Sequence, residues 1–191
     1  MESLLEILIH CGDHFEESFV VADLRETDQP LVYINEAFAK LTGYHQKEII
    51  GKNCRFLQGE LSNRDTINQL KKSISARECC FYDLLNYKKN GVPFWNRLVL
   101  FPVGYSEDDI AFYVGIQINI FEGENAIHAF DTKTSKKDTE RAVKNPFEHI
   151  IQAQRAMKYS AFSTSEALSP EKLAAQIRRE VQTISHFLRN V

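Results

Sequence analysis

The sequence lacks the features that would commit it to a membrane, an export route or a metal. No apolar run in its 191 residues approaches the roughly 18–20 residues needed to span a bilayer. Its N-terminus has no basic start followed by a small-residue cleavage site, so no signal peptide is expected. The four cysteines, Cys11, Cys54, Cys79 and Cys80, form no CxxC pair, and neither a zinc site nor a disulfide framework follows from them. His14, His45, His128 and His149 show no metal-ligand spacing. No glycines fall in the GxGxxG pattern of nicotinamide-dependent redox enzymes. A formal charge of -3 provides no general attraction to nucleic acid. The expectation is a reduced, cytoplasmic protein, with neither membrane nor nucleic acid among its partners.

What is present is a globular composition, 43% hydrophobic and 26% charged, without internal repeats. Residues 1–17 carry Leu4, Leu5, Leu8 and Cys11 at helical spacing and read as an N-terminal helical cap. Residues 18–121 read as one domain. Ser18–Asp23 and Leu31–Asn35 are β-prone runs joined by turn-forming Asp28–Pro30, which predicts a hairpin. Short helical stretches follow at Glu36–Leu41, ended by Gly43, and at Tyr44–Ile50, closed by Gly51. A longer helix is predicted over Arg64–Ala76, with Ile67, Leu70 and Ile74 on one face. Then come strands at Cys80–Tyr87, Phe94–Pro102 and Ile110–Phe121, the first two joined across Asn90-Gly91, a strong hairpin signal. This order predicts an α+β fold: a five-stranded antiparallel sheet with helices on one face.

Residues 122–144 are polar and mixed in charge, and read as a linker. Residues 145–191 read as a C-terminal helical extension. One helix opens at Asn145-Pro146-Phe147-Glu148 with capping chemistry, and a second at Ser169-Pro170-Glu171. In the second, Ile177, Val181, Ile184, Leu188 and Val191 have heptad-like spacing, too short to establish a coiled coil alone.

The chemistry concentrates in Gly51–Gly59, GKNCRFLQG. Cys54 is followed directly by Arg55, and a thiol beside a cation is a candidate low-pKa nucleophile. The nearest histidine, His45, lies nine residues back, so no base stands ready for hydrolytic chemistry. On position alone, a buried structural cysteine is the commoner reading. Asn86, Asn96 and Gln117 are amides on predicted strands. Asn86 and Asn96 flank the Asn90-Gly91 turn, and are expected across from each other, facing the interior. A buried amide without a partner costs about 1–3 kcal/mol, so three of them turned inward call for a polar ligand. Turned outward, they would be solvated strand residues. Trp95 alternates with its neighbours and is expected on the opposite face. Cys79 and Cys80 should point to opposite faces as core or surface filler.

The nonapeptide resembles the light-oxygen-voltage (LOV) family, a subset of PAS domains. The resemblance extends through Tyr33–Tyr44 (YINEAFAKLTGY), Asn86–Asn96 (NYKKNGVPFWN) and Tyr113–Gln117 (YVGIQ), over roughly residues 18–121. It implies a PAS/LOV fold and a blue-light photoreceptor, bacterial in type, that is not an enzyme. It implies flavin mononucleotide (FMN) as chromophore, with Cys54 forming a reversible bond to flavin carbon C4a after illumination. Because light supplies the driving force, the thiol need not be ionised, and the missing base agrees with this reading. Arg55 matches the family's first phosphate-binding arginine. Lys71 stands where a second is usual, a point charge without the planar fork, or else a solvated helix-face lysine. Arg64 is a further candidate there. Asn53, Gln58, Asn86, Asn96 and Gln117 fall on positions that meet the ring's polar edge. Leu57 and Leu98 fall against the rings, with plain core packing as their alternative. The resemblance makes Gln117 a relay that turns its amide when flavin N5 gains a proton. A homodimer formed through the helical extensions is the expected assembly, signalling to an unknown downstream protein.

Three rivals stand beside this reading. They are a light-insensitive PAS ligand-binding or interaction module, a redox flavoenzyme, and a fragment of a sensor histidine kinase. For the last, Ile184–Asn190 (ISHFLRN) is faintly similar to a phosphoacceptor box around His186. Phe187 replaces its usual acidic residue, and no ATP-binding domain is seen after it.

Overall fold

Alternating apolar side chains decide the sheet. The computed structural model describes residues 3–104 and 109–133, with single positions at 172, 175, 177, 179 and 182. The β-prone runs become β1 (Ser18–Asp23), β2 (Leu31–Ile34), β3 (Cys80–Tyr87), β4 (Pro93–Gly104) and β5 (Ile110–Glu122). They form one five-stranded antiparallel sheet in the order β2-β1-β5-β4-β3. The helices are α1 (Leu4–Asp13), α2 (Glu36–Thr42), α3 (Gln46–Ile49), α4 (Arg64–Ser75) and α5 (Glu124–Lys133), with a 3-10 turn at Cys54–Leu57. The predicted α+β fold is the observed one.

Period two divides the sheet into two faces. On the outer face Phe19, Val21, Val99, Phe101, Val114 and Ile116 pack with Leu4, Ile7, Leu8 and Cys11 of α1. Ile177, a helical position in the C-terminal extension, is buried in the same cluster. The rest of the proposed heptad, and His186, lie outside the described residues. On the inner face Val20 meets Phe38 of α2, Ile49 of α3 and Leu57.

Asn35 ties these layers together. As N-cap of α2 its Oδ1 accepts from Phe38 N at 3.0 Å and also from Phe19 N at 3.0 Å. Its Nδ2 donates to the carbonyls of Gly12, Phe15 and Glu17, at 3.3, 3.2 and 2.7 Å. One buried amide thus fastens the end of α1, the start of β1 and the start of α2. Helix α2 stops where Gly43 takes a left-handed φ of 77°, available to glycine without a Cβ clash.

Two expectations need correcting. Asn86 and Asn96 are not directly opposite: Asn86 pairs with Phe94, and Asn96 with Leu84. The reason is the turn. Only Gly91 is left-handed there (φ 82°), Gly91 N donates to Lys88 O and Lys88 N to Val92 O, both at 2.9 Å. That longer, bulged loop sets the register, making the two amides diagonal neighbours on one face. The second correction concerns the stretch read as a linker, which contains α5. Composition hid this helix because it needs little apolar surface. Ala126 is fully buried in a small cluster with Leu85 and Trp95, and Trp95 Nε1 donates to Ala126 O at 2.9 Å. Trp95 therefore lies on the outer face, as expected. No helix among the described residues is long and apolar enough to cross a membrane.

Candidate functional site

Between the inner face of the sheet and the helices lies a cavity of about 330 Å³, within the range of pockets that take a cofactor-sized molecule. Its walls include Asn53, Cys54, Arg55, Leu57, Gln58, Lys71, Asn86, Asn96, Leu98 and Gln117. All ten residues singled out from the sequence are thus brought to one space. Arg64 is not among the lining residues.

The floor is strand β5. Gly115 lines it, and a Cβ there would stand 2.9 Å from Gln117 Nε2 and 2.9 Å from Val20. Glycine therefore keeps open a space that any side chain would fill. Gln117 is 3% exposed and Ser18 is 4% exposed. The Ser18 hydroxyl donates to Gln117 Oε1 at 2.6 Å, while Gln117 Nε2 has no partner. On β4, Asn96 Nδ2 donates to Asn86 Oδ1 at 2.9 Å, while Asn96 Oδ1 has none. A buried donor and a buried acceptor, each costing about 1–3 kcal/mol if left unmet, thus belong to residues of one cavity wall. A planar heterocycle with both donor and acceptor groups on its edge fits that pair.

The other polar candidates are partly committed to the scaffold. Asn53 caps the 3-10 turn, its Oδ1 accepting from Arg55 N at 3.0 Å, and its Nδ2 donates to Asp28 O at 2.7 Å. Arg55 is half-exposed, and its Nη1 lies 2.7 Å from the Asp28 carboxylate. Lys71 is exposed on α4 beside the same cavity. Together Arg55 and Lys71 provide the cationic donors that a phosphate tail requires.

Cys54 begins the 3-10 turn and packs against the apolar cluster of Val20, Leu31 and Leu57. Burial pushes its thiol up to about 12. This corrects the low-pKa expectation: the neighbouring Arg55 guanidinium pairs with Asp28, and loss of water dominates at the sulfur. At neutral pH the site holds a protonated thiol. Below about pH 9 the thiol is neutral folded or unfolded; between about 9 and 12 only the unfolded chain ionises, so rising pH removes stability over that window. The same shift predicts slow alkylation. At pH 8, peptide-resolved mass spectrometry with iodoacetamide should find Cys54 far less reactive than a free thiol, because so little of it is thiolate. A rate near that of a free thiol would show an ionised cysteine.

Sequence reasoning missed the apolar and aromatic remainder of the wall. Tyr113 lines the cavity and its hydroxyl donates to Glu78 O at 2.9 Å, bracing β5 against the loop after α4. Ile67, Leu70 and Ile74, recognised only as a helix face, supply part of the opposite wall, and Leu84 and Leu100 complete it. Strand parity was the available signal, since Tyr113 and Gly115 share a face with Gln117, and Leu84 with Asn86.

Comparison with known proteins agrees with this geometry. A family profile described as PAS domain matches residues 16–122. Blue-light-activated histidine kinase 2 of Erythrobacter litoralis (strain HTCC2594) is 32% identical over 144 residues, covering 75% of this chain and 42% of its own length. A blue-light-activated histidine kinase of Rhizobium johnstonii is 34% identical over 166 residues, covering 87% of this chain and 46% of its own. The chain therefore spans less than half the length of these relatives. Among solved structures, the LOV domain from Erythrobacter litoralis EL346 blue-light activated histidine kinase has a TM-score of 0.55 at 36% identity. That match covers 56% of this chain and 98% of the solved one. With a family profile over more than half its length and LOV proteins among its relatives, the chain belongs to the PAS domain family, in its light-oxygen-voltage branch.

Proposed function

We propose that the chain is a blue-light photoreceptor that binds FMN in this cavity and uses Cys54 as its photoreactive residue. The observation that carries the reading is the pair of unmet buried amide atoms, Asn96 Oδ1 and Gln117 Nε2, on a cavity that Cys54 also lines. Bound here, FMN would supply blue-light absorption and an electrophilic ring carbon once excited, and Cys54, which lines the cavity, would supply the sulfur that bonds to it reversibly and the proton released from the thiol. The protein's own part is positional. Leu57, Leu98 and the α4 face exclude water from the ring, and Asn86, Asn96 and Gln117 hold its polar edge. Arg55 and Lys71 would hold the phosphate, and Asn53 and Gln58, which line the same cavity, would join the amides at the ring's polar edge. The raised thiol pKa supports this use, because the sulfur keeps its proton in the dark and stays unreactive. The sensor acts in the cytoplasm, without enzymatic activity of its own, and signals as a homodimer through its helical extensions.

Absorbance spectroscopy of the purified protein tests the proposal. A structured band in the blue that bleaches under blue light and recovers in darkness is expected. Colourless protein that gains no blue absorbance on incubation with FMN would favour a ligand-binding module that ignores light.

A further inference from the structure

The connection between β1 and β2 carries an unusual backbone. Asp28 and Gln29 are both left-handed, with φ of 69° and 49°. Asp tolerates that region better than most residues, whereas Gln has no such preference, so the turn must be held. Two residues of the cavity wall hold it. Asn53 Nδ2 donates to Asp28 O at 2.7 Å, and Arg55 Nη1 lies 2.7 Å from the Asp28 carboxylate. The turn therefore presents a fixed negative charge to the same guanidinium that faces the tail of a bound flavin, and Gln29 itself lines the cavity.

We infer that Asp28 tunes ligand selectivity at this end of the pocket, holding Arg55 against an incoming phosphate and so narrowing the preference for FMN over phosphate-free riboflavin. The inference rests on the flavin reading above. A phosphate carries about -1.5 to -2 charge near neutral pH. To use Arg55 it must displace the Asp28 carboxylate or share the guanidinium with it, and both cost electrostatic energy. The neutral end of riboflavin makes no such demand. Lys71 does not offset this, since it brings one point charge and no bidentate fork. Asp28 and Arg55 have side chains 56% and 52% exposed, so the penalty is modest and screened by salt.

The test is competition. The protein is loaded in an equimolar mixture of FMN and riboflavin, isolated, and its released flavins are quantified by chromatography. Asp28→Asn is the variant, because Asn removes the charge and keeps the left-handed turn. The parent sets the reference ratio of FMN to riboflavin, and the variant should shift that ratio toward FMN by roughly two- to fivefold. The shift should vanish near about 1 M salt, where the Debye length falls to about 3 Å. A shift toward riboflavin would overturn the inference and make Asp28 an aid to phosphate binding. An unchanged ratio at low salt would overturn it too. Failure of the parent to take up either flavin would instead overturn the flavin reading, and this inference with it.

Discussion

With Cys54 replaced by alanine, the protein should stay yellow and show no bleaching under light that bleaches the parent completely. The geometry explains why the loss should be total. No other thiol lines the cavity: Cys11, on α1, packs against the outer face, and Cys79 and Cys80 are absent from the walls. No second sulfur can substitute. FMN binding should survive, since Cys54 sits at the edge of an apolar cluster and the polar contacts come from Asn86, Asn96, Gln117 and Arg55. The truncation removes one sulfur atom beside an existing cavity, so its cost to stability should be at most about 1–2 kcal/mol. Flavin fluorescence gives an independent readout, bright and steady in the variant, dimming under light in the parent. Reversible bleaching in the alanine variant would reduce Cys54 to packing filler.

Gln117→Leu should uncouple the photochemistry from the structural response. Gln117 is the buried amide through which β5 touches both the cavity and β1, with Ser18 across the register. The Ser18 hydroxyl donates to Oε1 as the amide now stands, and it can equally accept from Nε2 if the amide turns. The pair thus has two arrangements with the same number of hydrogen bonds, and on the proposed function a proton at flavin N5 would decide between them. Such a rearrangement is worth about 0.5–1.5 kcal/mol, enough to shift a balanced equilibrium by roughly two- to tenfold. Leucine has one arrangement only. The variant should bleach as the parent does, while light-minus-dark differences in solution scattering fall to baseline. Equal scattering differences in both proteins would show that the signal leaves by another route.

Strand positions were legible because β-prone runs are bounded by turn residues such as Asp28–Pro30 and Asn90-Gly91, and β1 and β3 begin and end at the predicted residues. The nonapeptide and the inward amides were legible for another reason. Polar residues at core positions of a strand have no explanation without a ligand, and Asn86, Asn96 and Gln117 are all buried. Less was visible where structure depends on one local contact. Helix α5 rests on Ala126 beneath the Trp95 indole, a contact between residues 31 apart in sequence. The diagonal placement of Asn86 and Asn96 depends on which residue of the turn adopts positive φ. Asp28 was legible only as turn material, because its carboxylate reaches Arg55, 27 residues along the chain. The apparent cue at Cys54, an adjacent arginine, pointed the wrong way, since adjacency in sequence says nothing about which charge that arginine meets first.

The five hydrogen bonds of Asn35 have a practical bearing on where the sensor can be cut or joined. Trimming the chain to begin at β1 would take away Gly12 and Phe15, strip α1 from the sheet, and strand amide protons in a dry interior. Residues 3–17 therefore form part of the folding unit, and a partner protein is better grafted ahead of Ser3 than at the edge of the sheet domain.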